Sequence, residues 1–192
     1  MTRLFLSAVI VCSVGAASVA HAQDRWMVEL RGGATQSTET FMTTDLKTGV
    51  GFEGNVGIRV APGAFVYGGW DWQHHRAKAP LFGRMEDVED TGYAFGLRVV
   101  PPIASPVKPW VRGGALFNHI EIEDDDGSLV ADSEHTWGWE IGGGLDLSFG
   151  GSWSLTPGLR YRRFEPEVRF GATRTPATLA YVTYDVGIAW RF

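Results

Sequence analysis

The strongest constraint in this sequence is a two-residue alternation that returns about eight times after residue 25. In "TWGWEIGGGLDLSF", Trp137, Trp139, Ile141, Leu145, Leu147 and Phe149 fall on one side, with Glu140, Gly142, Gly144 and Asp146 on the other. Successive side chains of a strand point to opposite faces, so this stretch reads as a strand with one apolar face. "RWMVELRGGA" repeats the pattern, with Trp26, Val28 and Leu30 against Glu29 and Arg31. "VGFEGNVGIRV" sets Val50, Phe52, Val56, Ile58 and Val60 against Glu53, Asn55 and Arg59, and "FVYGGWDWQ" sets Val66, Trp70 and Trp72 against Asp71 and Gln73. "GYAFGLRVV" places Tyr93, Phe95, Leu97 and Val99 opposite Arg98 and glycines; "WVRGGALFN" places Val111, Ala115 and Phe117 opposite Arg112 and Asn118. "WSLTPGLRYR" sets Trp153, Leu155, Leu159 and Tyr161 against Arg160 and Arg162. In "YVTYDVGIAWRF", Val182, Tyr184, Val186, Ile188, Trp190 and Phe192 oppose Tyr181, Thr183, Asp185, Gly187 and Arg191.

The connections alternate in length. Residues 61–63 and 150–152 are tight turns and 101–109 a compact Pro-rich one, whereas 35–48, 74–88, 120–135 and 165–178 are long and polar. That rhythm describes an up-and-down antiparallel meander in one domain, 23–192. Glycine, 25 of 192 residues, is nearly twice its usual share and disfavours helix. Pro157 cannot donate to a ladder and is expected near a strand start or a bulge.

The first residues stand apart. Arg3, an apolar run from Leu4 to Val14, and small residues ending in "AHA" at Ala22 read as a cleaved secretory signal peptide over 1–22. Cys12, the single cysteine, falls inside it. The mature chain is therefore expected to hold no disulfide and no cysteine-based metal site or nucleophile. No later apolar run is long enough for a transmembrane helix. The formal charge of -5 gives no basic footprint for nucleic acid.

Two arrangements fit an alternating sheet. The apolar face is a soluble core with charges outside, or it meets lipid with charges paired inside a narrow closed barrel. The charged face is also glycine-rich, which suits a crowded lumen. Trp and Tyr recur near segment ends, as interfacial girdles require. The segments run to about ten residues, enough for a tilted strand to cross a thin hydrocarbon layer. In lipid the sheet has to close, and eight strands make a barrel that side chains fill. The first arrangement would make the protein a soluble secreted barrel.

"GWEIGGGLDLSFGGSWSLTPGLRYRRF" at 138–164 and the closing "YVTYDVGIAWRF" resemble the small outer-membrane β-barrels of Gram-negative bacteria, the OmpA/OmpX-like family. The resemblance covers essentially the whole mature chain. It implies an all-β fold, an eight-stranded antiparallel up-and-down transmembrane barrel in the bacterial outer membrane. It further implies that the terminal strand, through Tyr184, Trp190 and Phe192, is read by the barrel-assembly machinery. Unlike longer members, this sequence shows no peptidoglycan-binding domain after the barrel.

The candidate functional residues are the charges assigned to the lumen: Glu29, Arg31, Glu53, Arg59, Asp71, Arg98, Arg112, Glu140, Asp146, Arg160, Arg162, Asp185 and Arg191. A buried charge needs a partner, and arginine suits bidentate carboxylate pairing. These residues are expected to form a rigid ion-pair plug, or alternatively to line a narrow porin-like channel. The acidic stretch "EIEDDDGSLVADSEH" reads as a solvated outer loop, and its spacing fails the calcium-loop pattern. His74 and His75 point to opposite faces, while His119 and His135 could meet across the base of that loop. A lipid A-modifying enzyme would need His119 with Ser128, Ser133 or Asp132. No motif fixes that set, so the expected role is non-enzymatic, envelope-structural or surface-interacting. No cofactor is expected. The expected partners are outer-membrane lipid, lipopolysaccharide and the assembly machinery, with the protein a monomer.

Overall fold

The computed structural model describes residues 25–81 and 86–192; the expected signal peptide lies outside them. Strands follow in the order β1 (Trp26–Ser37), β2 (Gly49–Ala61), β3 (Ala64–Arg76), β4 (Glu86–Val99), β5 (Val107–Asp124), β6 (Leu129–Ser133), β7 (Thr136–Phe149), β8 (Trp153–Phe164), β9 (Glu167–Phe170), β10 (Thr173–Pro176) and β11 (Leu179–Arg191). Eight of them close into an antiparallel ring, β1-β2-β3-β4-β5-β7-β8-β11, sealed where β1 pairs β11 from Met27↔Arg191 to Ser37↔Tyr181. The remaining three, β6, β9 and β10, extend one side of the ring past the long-loop end. Each expected strand is present, in the expected order.

The strands are longer than their alternating signal. They run from 12 to 18 residues in the ring, because the alternation changes sign near the long-loop end. Along β5, Val111 and Phe117 point out and Arg112 and Asn118 point in, as expected. Two residues later the roles exchange: Ile120 and Ile122 are buried inside, and His119, Glu121 and Glu123 face outward. Val88 in β4, Phe164 in β8 and Leu179 in β11 make the same change. The segment read as a solvated acidic loop is thus mostly a hairpin, β5 turning at residues 125–128 into β6. Glu121, Glu123 and Asp132 stay outside, Asp124 is buried at the turn, and Ile120, Ile122 and Ala131 pack inside.

Two apolar clusters cap the interior. At the short-turn end, Met27, Phe65 and Ala189 pack together. At the opposite mouth, Phe41, Leu46, Val88, Ile120, Ile122, Phe164, Val168, Ala177 and Leu179 form a larger core. Phe41 and Leu46 reach it from the connection between β1 and β2. That segment turns back at Met42, which adopts a left-handed φ of 51°, and is pinned by the bridges Phe41↔Thr44 and Leu46↔Ala77.

Pro157 lies inside β8, with no bulge. Its register to β7 is the same on either side, Gly144↔Gly158 and Leu147↔Leu155, and the ladder skips the proline. On the other flank of β7, Pro109 is registered against Leu145. A proline opposite Leu145 has no N–H to offer its carbonyl, and the Trp110 indole N–H donates to the Leu145 oxygen at 3.1 Å.

Trp110 in turn explains a glycine. A Cβ on Gly158 would stand 2.2 Å from Trp110 Cζ2, inside its ring, whereas a Cβ on outward Gly32 would meet nothing nearer than 3.7 Å. Gly158→Val is expected to cost at least about 1–3 kcal/mol through overpacking. The measurement is the fraction recovered as the heat-modifiable folded band after refolding in detergent. Gly32→Ala is expected to refold like the parent.

Candidate functional site

The middle of the barrel holds a single network of charges supplied by all eight ring strands. Glu53 of β2 sits at its centre. Arg112 of β5 reaches its Oε1 at 2.7 Å, and Arg160 and Arg162 of β8 donate to its Oε2. Glu140 of β7 accepts from Arg112 and, at 2.9 Å, from Arg162 Nε. Tyr67 of β3 donates its hydroxyl to Glu140, and its ring lies 4.3 Å beneath the Arg112 guanidinium. Toward the long-loop end, Arg162 Nη1 lies 2.7 Å from Asp71 Oδ1. Asn118 then donates to both Asp71 and Asp90 at 3.0 and 2.7 Å, and Tyr181 donates to Asp90 at 2.6 Å.

Toward the short turns, a second group is built on β1. Arg31 pairs with Glu29 at 2.8 Å and with Asp185 of β11, while Arg160 Nε joins Asp185 at 2.6 Å and so links the two groups. Arg98 of β4 contacts Glu29 and lies 3.5 Å from Asp146 of β7, which also takes Arg191. Two guanidiniums, Arg31 and Arg98, lie over the indole of Trp110, each 4.8 Å from its centroid. Cation–π contact of this kind strengthens when water is excluded.

All the charges assigned to the lumen are on the inner face, and most are fully buried: Arg162 and Asp71 are 0 % exposed. Arg59 is placed differently, half-buried at the short-turn end, over the Phe65 ring at 5.3 Å. Several members of the network carried no readable signal. Tyr67, Trp110 and Asp90 occupy interior positions, yet an aromatic inside a lumen has the same one-letter code as one facing lipid. Only the parity of Tyr67 with Asp71, and of Trp110 with Arg112, could have placed them. Tyr184, Trp190 and Phe192 stand on the outer face, with Trp190 stacked on Phe192 at 4.2 Å between centroids and on Trp153 at 5.8 Å.

The residues needed for a serine–histidine arrangement are not brought together. His119 faces outward, whereas Ser133 is buried on the inner side, its Oγ accepting from the Ile120 N–H at 2.8 Å. Asp132 faces Arg169 at 3.8 Å. Asp124 Oδ1 closes the hairpin turn by accepting from the Asp126 and Ser128 N–H groups, both at 3.0 Å. Arg169 and Arg174 are paired with acids of the outer sheet, Glu134 at 3.1 Å and Glu167 at 3.6 Å. Among the described residues no helix is long and apolar enough to cross a membrane.

The outer face over the middle of the ring is wholly apolar, with Leu30, Val111 and Ile141 more than half exposed and without a charge among them. A closed ring with that surface and a filled ionic interior is an integral outer-membrane β-barrel. The chain belongs to the family described as the outer membrane protein beta-barrel domain, whose model matches residues 4–192. It resides accordingly in the bacterial outer membrane. Solved structures with the same fold include Neisserial surface protein A, at 16% identity and TM-score 0.64 over 90% of this chain and 100% of that one. OprG from Pseudomonas aeruginosa aligns at 14% identity and TM-score 0.60, over 88% and 97%. The outer membrane protein AlkL, solved in DMPC lipid bilayers, aligns at 16% identity and TM-score 0.54, over 93% and 94%. No curated protein sequence matches significantly.

Breaking a buried ion pair by removing one partner costs about 3–5 kcal/mol, because the survivor keeps its desolvation penalty. Glu53→Gln leaves Arg112, Arg160 and Arg162 sharing a neutral amide and is expected to destabilise the barrel by about that amount. Arg174→Gln removes an exposed pair and is expected to change stability by less than about 1 kcal/mol. Urea unfolding in lipid vesicles, followed by tryptophan fluorescence, distinguishes the two.

Proposed function

We propose that this protein is a non-enzymatic outer-membrane barrel with a closed lumen, serving the envelope as a rigid span that presents an outer β-sheet. The observation that carries this reading is the interior: a cross-barrel ion network between two apolar plugs. Guanidiniums and carboxylates bonded directly to one another leave no continuous water-lined path for an ion to follow. The outward histidine shares no face with a buried serine, which supports a role without acyl-transfer chemistry. A monomer in contact with lipopolysaccharide fits a ring whose apolar belt is continuous on every strand. Export by removal of residues 1–22 fits the pattern of that segment.

Reconstitution into planar lipid bilayers tests the closed lumen. The expected result is a flat baseline at moderate voltage; reproducible unitary steps would replace this reading with a narrow channel. Lipid A mass spectra with and without the protein are expected to be identical, and a mass change removed by His119→Ala would establish an enzyme. Intact mass of the purified protein is expected to begin at Gln23.

The exposed alternation of Tyr184, Trp190 and Phe192 supports recognition by the assembly machinery during insertion. Phe192→Ser is expected to lower outer-membrane levels at physiological expression. It is expected to leave the urea midpoint of barrel already folded within about 0.5 kcal/mol of the parent, as for a surface substitution. Unchanged outer-membrane levels would remove the assembly role.

A further inference from the structure

At the level where the alternation changes sign, β7 ends its pairing with β5, and β6 takes its place along β5. The last registered pair is Asn118↔Thr136. The next residues, His119 and His135, face each other on the outer surface. His119 Nδ1 and His135 Nε2 are 3.2 Å apart, and the rings approach to 4.4 Å between centroids. The other nitrogen of His119, Nε2, lies 3.1 Å from Glu121 Oε1. A carboxylate only accepts, so His119 Nε2 carries the proton and Nδ1 offers its lone pair toward His135.

We propose that His119 and His135 form an open binding site for a transition-metal dication of the Zn2+, Ni2+ or Cu2+ class. Two imidazole nitrogens on one tetrahedral zinc, each at its normal bond length, lie about 3.3 Å apart. The two nitrogens here already stand at that spacing, so binding displaces the proton shared between them and moves neither strand. Glu121 orients His119 in the way that a carboxylate behind a ligating histidine sets its tautomer and raises its basicity. The rings rest on an aromatic floor, with Phe117 5.0 Å and Tyr93 6.5 Å from His135. That floor limits the rotamers lost on binding. Across the sheet, Glu89, Glu121 and Asp132 lie in one register row and add negative potential beside the site. Among the described residues no three His, Cys, Asp or Glu side chains converge on one point. Water therefore completes the coordination shell, and the site binds reversibly from the external medium.

Protein purified from outer membranes into detergent micelles is titrated calorimetrically with Zn2+, and with Cu2+ under electron paramagnetic resonance. The expected result is one saturable equivalent, a Cu2+ signal split by two nitrogens, and no displacement by equimolar Ca2+, which prefers oxygen ligands. His119→Asn and His135→Asn are each expected to abolish the two-nitrogen signal. Glu121→Gln is expected to weaken Zn2+ about 10-fold, and His74→Asn, on the neighbouring hairpin, to change nothing. Heat modifiability checks that each variant is folded. Parent-like binding in either His119→Asn or His135→Asn, effective competition by Ca2+, or absence of a saturable equivalent in the parent would each overturn the proposal.

Discussion

The interaction on which the rest depends is the pairing of Glu53 with three arginines and, through Arg112 and Arg162, with Glu140. In a ring of eight strands the interior is too narrow for bulk water, so any charge placed there must find its counter-charge in protein. That requirement runs across the barrel as well as along it. Arg160 and Arg162 of β8 meet Glu53 of β2 from the far side, and Arg98 of β4 meets Glu29 of β1. Backbone pairing holds each strand to its two neighbours; these side chains hold opposite walls together. The glycines follow from the same demand. A Cβ on Gly114 would meet Tyr67 Oη at 2.8 Å and the Phe95 carbonyl at 2.1 Å. The wall facing Tyr67 therefore stays bare so that Tyr67 can reach Glu140.

The second organising feature is the height at which apolar and polar residues exchange faces. Below it the solvent outside is lipid, so Phe52, Trp70, Phe95 and Ile141 face out. Above it the solvent is water, and the sheet obeys the soluble rule, with Ile120, Ile122, Phe164 and Leu179 inside. The exchange is marked on the outer face by His74, Glu89, His119 and Arg163, each the first strongly polar outward residue on its strand. The position of the bilayer is thus written into the strands themselves, and the aromatics just below, Trp72, Phe117, Trp137 and Tyr161, occupy the interfacial belt.

Much of this was legible. The outward face within the bilayer is apolar on each of the ring strands, so strand number, order and the inward charges could be read from residues alone. The legibility fails where a single rule stops applying. Past the exchange height, "HIEIED" still alternates, but with opposite meaning, and nothing within those six residues says which side is wet. The segment therefore reads as an acidic loop although half of it is core. Tyr67 and Trp110 were obscured because an aromatic suits lipid, interface and lumen alike, and their inward placement depends on long-range partners. Arg59 shares the parity of Glu53 but lies at the end of the hairpin, where parity no longer implies the centre of the lumen. The approach of His119 to His135 across the base of the acidic segment was readable, but the hydrogen bond they make and the support of Glu121 depend on the junction of three strands, which no local pattern encodes.

The inverted upper section changes what the exterior of this barrel is. Long connections on a membrane barrel are ordinarily pendant, and their conformational entropy opposes any binding that orders them. Here Phe41 and Leu46 anchor the first connection in the mouth, and Val168 and Ala177 anchor the fourth to the same core. The third is a hairpin continuous with the wall. The charged side chains above the bilayer, Glu121, Asp132, Glu134 and Arg169, therefore project from paired strands or from the residue beside one. A surface held in this way has already lost much of its conformational entropy during folding, so a ligand or partner that fits it binds without ordering it first. The same core that fills the mouth of the barrel also gives the outer surface a defined shape, and these two properties arise from one set of buried apolar side chains.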